Sequence, residues 1–321
     1  MAGGQERVLR RRIKSVQSTK KITRAMELIA ASRIVKAQQR VQAARPYSEQ
    51  ITAVIRNLAG TGAGRGQALL TPREEVRKVG FIVVTADRGL AGGYNSGVIR
   101  AAEQALRAHQ EQGRDYSLIL CGKKGQNYFR FRGYRIDVAF SGFSEQPTYE
   151  NAREVADEVM KRFDEGDIDQ VELIYTQFIS AGSQKVVVRR FMPLESESLA
   201  EERTGPQADY EFEPSPDGIL ERLLPRYVEA RLFAAMLDAA ASEHAARQRA
   251  MKSATDNAEE LIKALTRIMN RARQESITTE IMEIVGGAEA LAQAGKGGVV
   301  DLLPDTLQHR DFLPDKPGVI R

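Results

Sequence analysis

Between Gln5 and Arg45 the chain contains neither glycine nor proline, and the sixty residues from Arg226 to Val285 contain neither as well. Each stretch carries small or apolar residues at steps of three and four, the spacing of one helix face. In the first the stripe is Leu9, Ile13, Val16, Thr23, Met26, Ala30, Ala37, Val41 and Ala44, interrupted by Lys20 and Arg33. In the second it runs from Leu220 and Leu224 through Ala234, Leu237, Ala241, Ala245, Met251, Ala258, Ile262, Leu265 and Met269 to Ala272. It continues less regularly through Ile277, Ile281 and Ile284 to Gly286-Gly287. Pro46 and Pro225 are candidate kinks. A first helix of about 50 residues is roughly 80 Å long at 1.5 Å per residue, too long to bury in one globule. Each stripe needs a partner, and an antiparallel coiled coil of the two terminal segments covers both.

The segment between them has a different composition. Gly60–Gly66 reads as a linker, closed by Thr71-Pro72. Runs at 80–85, 117–121, 135–140, 171–177 and 184–191 read as strands, and 95–112 and 148–163 as helices, the latter capped by Thr148 with Glu150 in its first turn. Strands alternating with helices predict an α/β domain with a mostly parallel, Rossmann-like sheet, inserted between the two long helices. The expected organisation is therefore an N-terminal coil helix over 1–58, a linker over 59–78, the α/β domain over 79–194, an acidic loop over 195–217, a C-terminal coil helix over 218–290 and an extension over 291–321. Aromatic content of 6% with no Trp suits slim helical seams better than a β-sandwich.

Charge is unevenly placed. Residues 1–58 hold thirteen Lys and Arg against three Glu, whereas Glu195–Asp217 holds eight acids against Arg203. A basic arm and an acidic loop fit either two separate charged partners or two solvated faces. The basic N-terminus is followed by no apolar run of signal-peptide type and no stretch approaches eighteen apolar residues, so mature sequence without direct lipid insertion is expected. One cysteine, Cys121, permits no internal disulfide, and His109, His244 and His309 are far apart; neither pattern suggests a metal site.

Enzyme motifs fail on spacing. The turn 86–95 (ADRGLAGGYN) carries Gly89, Gly92 and Gly93 as G-x-x-G-G, not G-x-G-x-x-G, and the second strand ends in Cys121-Gly122-Lys123-Lys124 where a dinucleotide site wants an acid. Gly295-Lys296-Gly297 lacks the hydroxyl residue of a P-loop, and Gly93–Gly97 is not a nucleophile elbow. No catalytic residue and no cofactor are expected.

Three segments carry a resemblance. Lys20–Gln39 reads KKITRAMELIAASRIVKAQQ, the central turn reads TADRGLAGGYN, and the last helix carries RAMKSATDNAEELIKAL and RARQESITTEIMEIVGGAEAL. Together, in register over roughly residues 2–290, they resemble the γ subunits of F-type ATP synthases. The resemblance implies a non-catalytic rotor shaft, turned by a membrane c-ring inside a hexamer of α and β subunits, coupling proton flow to ATP synthesis and hydrolysis. It further implies an ε subunit as partner and a peripheral place on the cytoplasmic face of a bacterial plasma membrane.

The resemblance also implies site residues. Met26 matches a position facing an acidic loop of β, with Lys20, Lys21, Arg24, Arg33 and Lys36 as a basic collar around it. Arg247, Gln274 and Thr278 match positions touching a catch loop of β. Asp209, Tyr210, Glu211, Phe212 and Glu213 resemble a foot segment near the ring and ε. Seam packing is the other reading of Met26, a solvated helix face that of Gln274 and Thr278, and a disordered loop that of the acidic stretch. The chain departs from the family after Leu291, where a Gly- and Pro-containing extension reads either as poorly ordered or as a regulatory contact. A regulatory cysteine pair, as in the chloroplast form, is ruled out by the single cysteine. The competing class is a coiled-coil nucleic-acid binder, which the basic arm would suit; no aromatic precedes Tyr47 and the acidic loop opposes it.

Overall fold

The computed structural model describes residues 2–60, 67–194 and 215–294. The linker centre, the acidic loop with the foot segment Asp209–Glu213, and the extension from 295 onward lie outside the described residues. The elements are α1 (Ala2–Gly60), β1 (Lys78–Val84), α2 (Tyr94–Glu111), β2 (Asp115–Cys121), α3 (Lys123–Phe131), β3 (Val138–Phe140), α4 (Tyr149–Asp164), β4 (Gln170–Phe178), β5 (Gln184–Met192) and α5 (Pro216–Ala294). Contacts group them into two units, residues 17–259 and a second formed by 1–16 with the chain beyond 260.

Within the larger unit the five strands lie in the order β3-β2-β1-β4-β5, parallel throughout except for the antiparallel β4–β5 pair. The mostly parallel sheet expected from the alternating pattern is therefore present. Its runs of consecutive buried residues, six in succession in β1, reflect a sheet covered on both faces. On one face Val79, Phe81, Val83, Leu118, Leu120 and Ile174 pack with Val98, Ala102 and Leu106 of α2 and Phe129 of α3. On the other, Ile82, Val84, Ile119 and Leu173 pack with α4, with Ile51, Ile55 and Leu58 of α1, and with Leu220 to Ala239 of α5. Both long helices thus end their seams in the core of the α/β domain. Cys121 lies in that core, where burial pushes its thiol up to about 12, well above reactive range.

The seams follow a strict heptad. Steps of four and three from Leu9 to Leu58, through Ile13, Val16, Lys20, Thr23, Glu27, Ala30, Ile34 and Ala37, never land on an exposed residue. The same steps from Leu220 reach Ala272 through His244, Met251, Thr255, Ala258 and Leu265. A sustained period of 3.5 is the coiled-coil signature. The pairing is antiparallel: Thr23 Oγ1 meets Thr255 Oγ1 at 2.8 Å, and three residues earlier on α1 Lys20 Nζ meets Glu259 Oε2 at 3.0 Å. Lys20 therefore belongs to the seam, and the seam passes through Glu27 and Ile34, with Met26 and Arg33 half-buried beside them. Charged and polar residues at these positions fix register at some cost in stability.

Neither interior proline breaks its helix. Proline in a helix costs about 3 kcal/mol. Full burial of Ile51, Ile55 and Leu58 just beyond Pro46 returns about 1.5–3 kcal/mol each. Likewise α5 runs past Gly286-Gly287 to Ala294, because a glycine costs only about 1 kcal/mol and Ala, Glu and Leu follow. The departures from the sequence reading are the four residues 291–294 by which α5 outruns the expected end at 290, α3, which it lacked, and a third strand of three residues rather than six. Thr148 caps α4 as expected: its Oγ1 accepts from Asn151 N at 3.3 Å while Asn151 Oδ1 accepts from Thr148 N at 3.0 Å.

Candidate functional site: the cationic collar and its carboxylates

The glycine-rich turn after β1 is a tight connection into α2. Leu90 and Gly92 both take positive φ, 63° and 54°, and Gly93 precedes the first turn of α2 without a side-chain cap. A cavity of about 430 Å³ lies beside it, lined by Gly92, Gly93, Thr176, Ser242, Ala246 and Arg249. At the end of β2, Gly122 has φ 99°, and a Cβ there would stand 2.1 Å from Thr85 O, so only glycine fits. Glycine serves geometry at both turns. Among the described residues no group of three His, Cys, Asp or Glu could hold a metal ion.

The cationic residues picked out in the sequence are mostly engaged by carboxylates. Arg24 donates to both oxygens of the buried Glu27, at 2.9 and 3.0 Å, and Lys20 is held by Glu259. Lys21 and Lys36 are exposed, and Met26 is half-buried at the seam's edge. On the outer side of α1, Ile22 and Ile29 are 61% and 54% exposed. This surface mixes cations and exposed aliphatic carbons. Lys20, Arg24 and Arg33 are already paired with carboxylates of this chain.

Arg33 and Arg247 converge, although they are 214 residues apart in sequence. Both meet Glu145, in the loop between β3 and α4: Arg33 Nη1 bonds Oε2 and Arg247 Nη1 lies 3.3 Å from Oε1. Arg88, from the glycine-rich turn, lies 3.7 Å from Oε2. Arg247 is buried and also bonds Glu243, its neighbour one turn back on α5. Burial raises the Glu243 carboxyl above its ordinary value, opposed by Arg247, and burial lowers the His244 imidazole, so His244 is neutral near pH 7. Its Nε2 lies 3.2 Å from the Glu145 carbonyl. Glu145, Arg88, Glu243 and His244 were not foreseen. Glu145 and Arg88 sit in loops with no periodicity to mark them, and only the fold brings them to Arg247.

Gln274 and Thr278 belong to the smaller unit. Both are exposed, and Thr278 Oγ1 donates to Gln274 O at 2.9 Å, so the hydroxyl is turned back onto its own helix. In this unit burial falls on Ile13, Leu265 and Ala272. From Ile277 to Ala294 every residue of α5 is exposed, including Ile277, Ile281, Ile284 and Leu291.

Residues 5–291 match the family model described as ATP synthase. The chain is 53% identical over 294 residues to the ATP synthase gamma chain of Frankia casuarinae, covering 90% of this chain and 98% of that one. It is 50% identical over 300 residues to that of Mycolicibacterium smegmatis, covering 89% and 97%. This chain belongs to the ATP synthase γ family. The γ-chain fold extends to distant solved structures. A chain of the Tetrahymena thermophila mitochondrial ATP synthase central stalk and c-ring superimposes with TM-score 0.57 at 23% identity, covering 73% of this chain and 99% of that one. A chain of the Euglena gracilis mitochondrial ATP synthase rotor gives 0.61 at 17%, covering 86% and 99%. In this γ-family chain the two long helices and the mostly parallel sheet are thus the family's architecture.

Proposed function

We propose that the chain is the central-stalk rotor of an F-type ATP synthase, coupling ring rotation to ATP synthesis and hydrolysis without carrying out the chemistry itself. The observation that carries this is its near full-length match to γ chains at about half identity. Exposed aliphatic side chains on both long helices support it, Ile22 and Ile29 on α1 and Ile277, Ile281, Ile284 and Leu291 on α5 among the described residues. Exposed large apolar side chains gathered on one element are what an interaction site presents.

A rotor biases its partners by contact. One asymmetric shaft touches several equivalent sites unequally, and each site shifts only by the difference in contact free energy between its states. In this reading Lys21, Arg24, Met26 and Lys36 present charge and apolar surface to acidic segments of the β subunits, while Lys20, Arg33 and Arg247 keep the helices in register behind them. Gln274 and Thr278 lie on the part of α5 that α and β subunits would surround, and the foot at Asp209–Glu213 serves ε and the c-ring. The chain then sits peripherally on the cytoplasmic face of the bacterial plasma membrane, held by protein partners. No helix among the described residues is long and apolar enough to cross a membrane.

Co-purification from detergent-solubilised membranes through a tag on this chain tests the reading. One copy with three α and three β subunits and ATPase activity is expected. Recovery of the chain alone, repeated with the tag moved to another position, would refute it.

A further inference from the structure

Three arginines from three separate segments reach one carboxylate, that of Glu145. Arg33 comes from the middle of α1, Arg88 from the glycine-rich turn, and Arg247 from α5. The loop that carries Glu145 is itself anchored twice more. Asp87, in the turn after β1, accepts from Gly142 N at 2.8 Å and from Ser144 N at 3.0 Å, and its own N–H donates to Ser144 Oγ at 2.9 Å. Toward the helices, Arg40 of α1 donates to Pro147 O, and His244 of α5 faces Glu145 O. The loop 141–148 therefore bridges the carboxyl edge of the sheet and both long helices. The Glu145 side chain is 18% exposed and that of Arg247 8%, so this pair is shielded from salt more than a surface pair is, whereas Arg88 reaches in from the surface.

We propose that Glu145 is a positioning residue that keeps the two coil helices locked to the α/β domain under load. Resting on the rotor reading above, the inference adds a residue that does not touch nucleotide. The apolar core clamps α1 at Ile51, Ile55 and Leu58, but the middle of α1, where the cationic collar lies, is tied to the domain by Arg33 and Arg40. A torque applied to the domain reaches the collar through those ties. Without the Glu145 charge, Arg33 and Arg88 lose their shared anchor, while Arg247 keeps Glu243 and the buried pair survives. Rotation of the domain would then turn the collar incompletely.

The test compares Glu145→Gln with the wild-type chain in membrane vesicles containing the whole complex, reading proton pumping and ATP hydrolysis together. A purely structural defect lowers both in proportion to the amount of complex. The expected result is hydrolysis within about twofold of wild type and a pumping-to-hydrolysis ratio lowered about fivefold or more, the size of an ordinary coupling free energy. Glu145→Asp, which keeps the charge with a shorter reach, should retain at least about half of the wild-type ratio. A wild-type ratio in the Gln variant overturns the inference, as does an Asp variant as uncoupled as the Gln one. Absence of the Gln variant from the complex overturns it too, because Glu145 would then serve folding or assembly and not load. If the wild-type chain itself were missing from the complex, the rotor reading would fall and this inference with it.

Discussion

Two stretches of α5 read alike and end up differently. From Tyr227 to Ala245 the helix is buried nearly all round, with Leu232, Met236, Leu237 and Ala241 all at 2% exposure or less. From Ile277 to Ala294 it is exposed all round, with Ile284 at 72% and Leu291 at 77%. Both stretches mix alanine with larger aliphatic residues and Met, so apolar character does not separate them. The first finds its cover inside the chain, against the sheet and α1. The second has apolar side chains that no other described residue covers. A helix hydrophobic on several faces is a buried helix, and the second stretch is read as buried only once partners surround it.

The largest expected effect breaks the closed stretch. Leu232→Ala should destabilise the isolated chain by about 2–5 kcal/mol, the range for emptying a packed leucine site. Ile284→Ala, equally aliphatic, should change stability by no more than about 0.5 kcal/mol, as exposed substitutions do. Urea unfolding of both variants decides it, and equal losses would erase the contrast between the two stretches.

A pH experiment sharpens the comparison inside the closed stretch. Burial raises the carboxyl of Asp238 to about 6, with Arg189 and then Arg45 opposing. The folded chain therefore binds that proton more tightly than the unfolded chain, whose value is near 3.9. Stability from this group is full below pH 4, falls as pH rises toward 6, and is flat above. Asp238→Asn should accordingly melt higher than wild type at pH 7 and equal to it at pH 3.5, read by thermal unfolding across pH. A variant that melts lower at pH 7 would mean that the ionised carboxylate is needed where it sits.

Smaller effects are expected at the edges of the fold. Thr148→Ala removes the capping box of α4 and should cost about 1 kcal/mol. Replacing both Thr23 and Thr255 by Val removes a matched pair of buried hydroxyls from the seam and should be nearly neutral, since neither leaves the other unpartnered. Thr23→Val alone should cost little, because Thr255 still donates to Met251 O at 2.8 Å. Denaturant midpoints of the three variants check these values.

Much of the fold was legible in the sequence because helices and parallel strands are written in local periodicity. The paired terminal helices, the alternation of five strands with helices and the Thr148 cap all follow from spacing and residue type. What was misread shows the limit of that method. The apolar stripe runs through Met26 and takes Lys20 as an interruption, whereas the strict 3.5 period makes Lys20 and Glu27 seam positions, neutralised by Glu259 and Arg24. Pro46 and Pro225 read as candidate kinks, yet both helices run through them, because core packing outweighs the cost. The Glu145 junction was invisible, since residues 33, 88, 145 and 247 share no local pattern and meet only through the tertiary fold.

Amide hydrogen exchange on α5, in the isolated chain and in the purified complex, tests the account most directly. Residues 227–247 should be protected in both states, because their cover is internal. Residues 277–294 should exchange fast in the isolated chain and gain protection of at least about a hundredfold on assembly, equivalent to about 2.7 kcal/mol. Equal exchange of 277–294 in the two states would contradict the account, showing that this apolar stretch is not covered by partners.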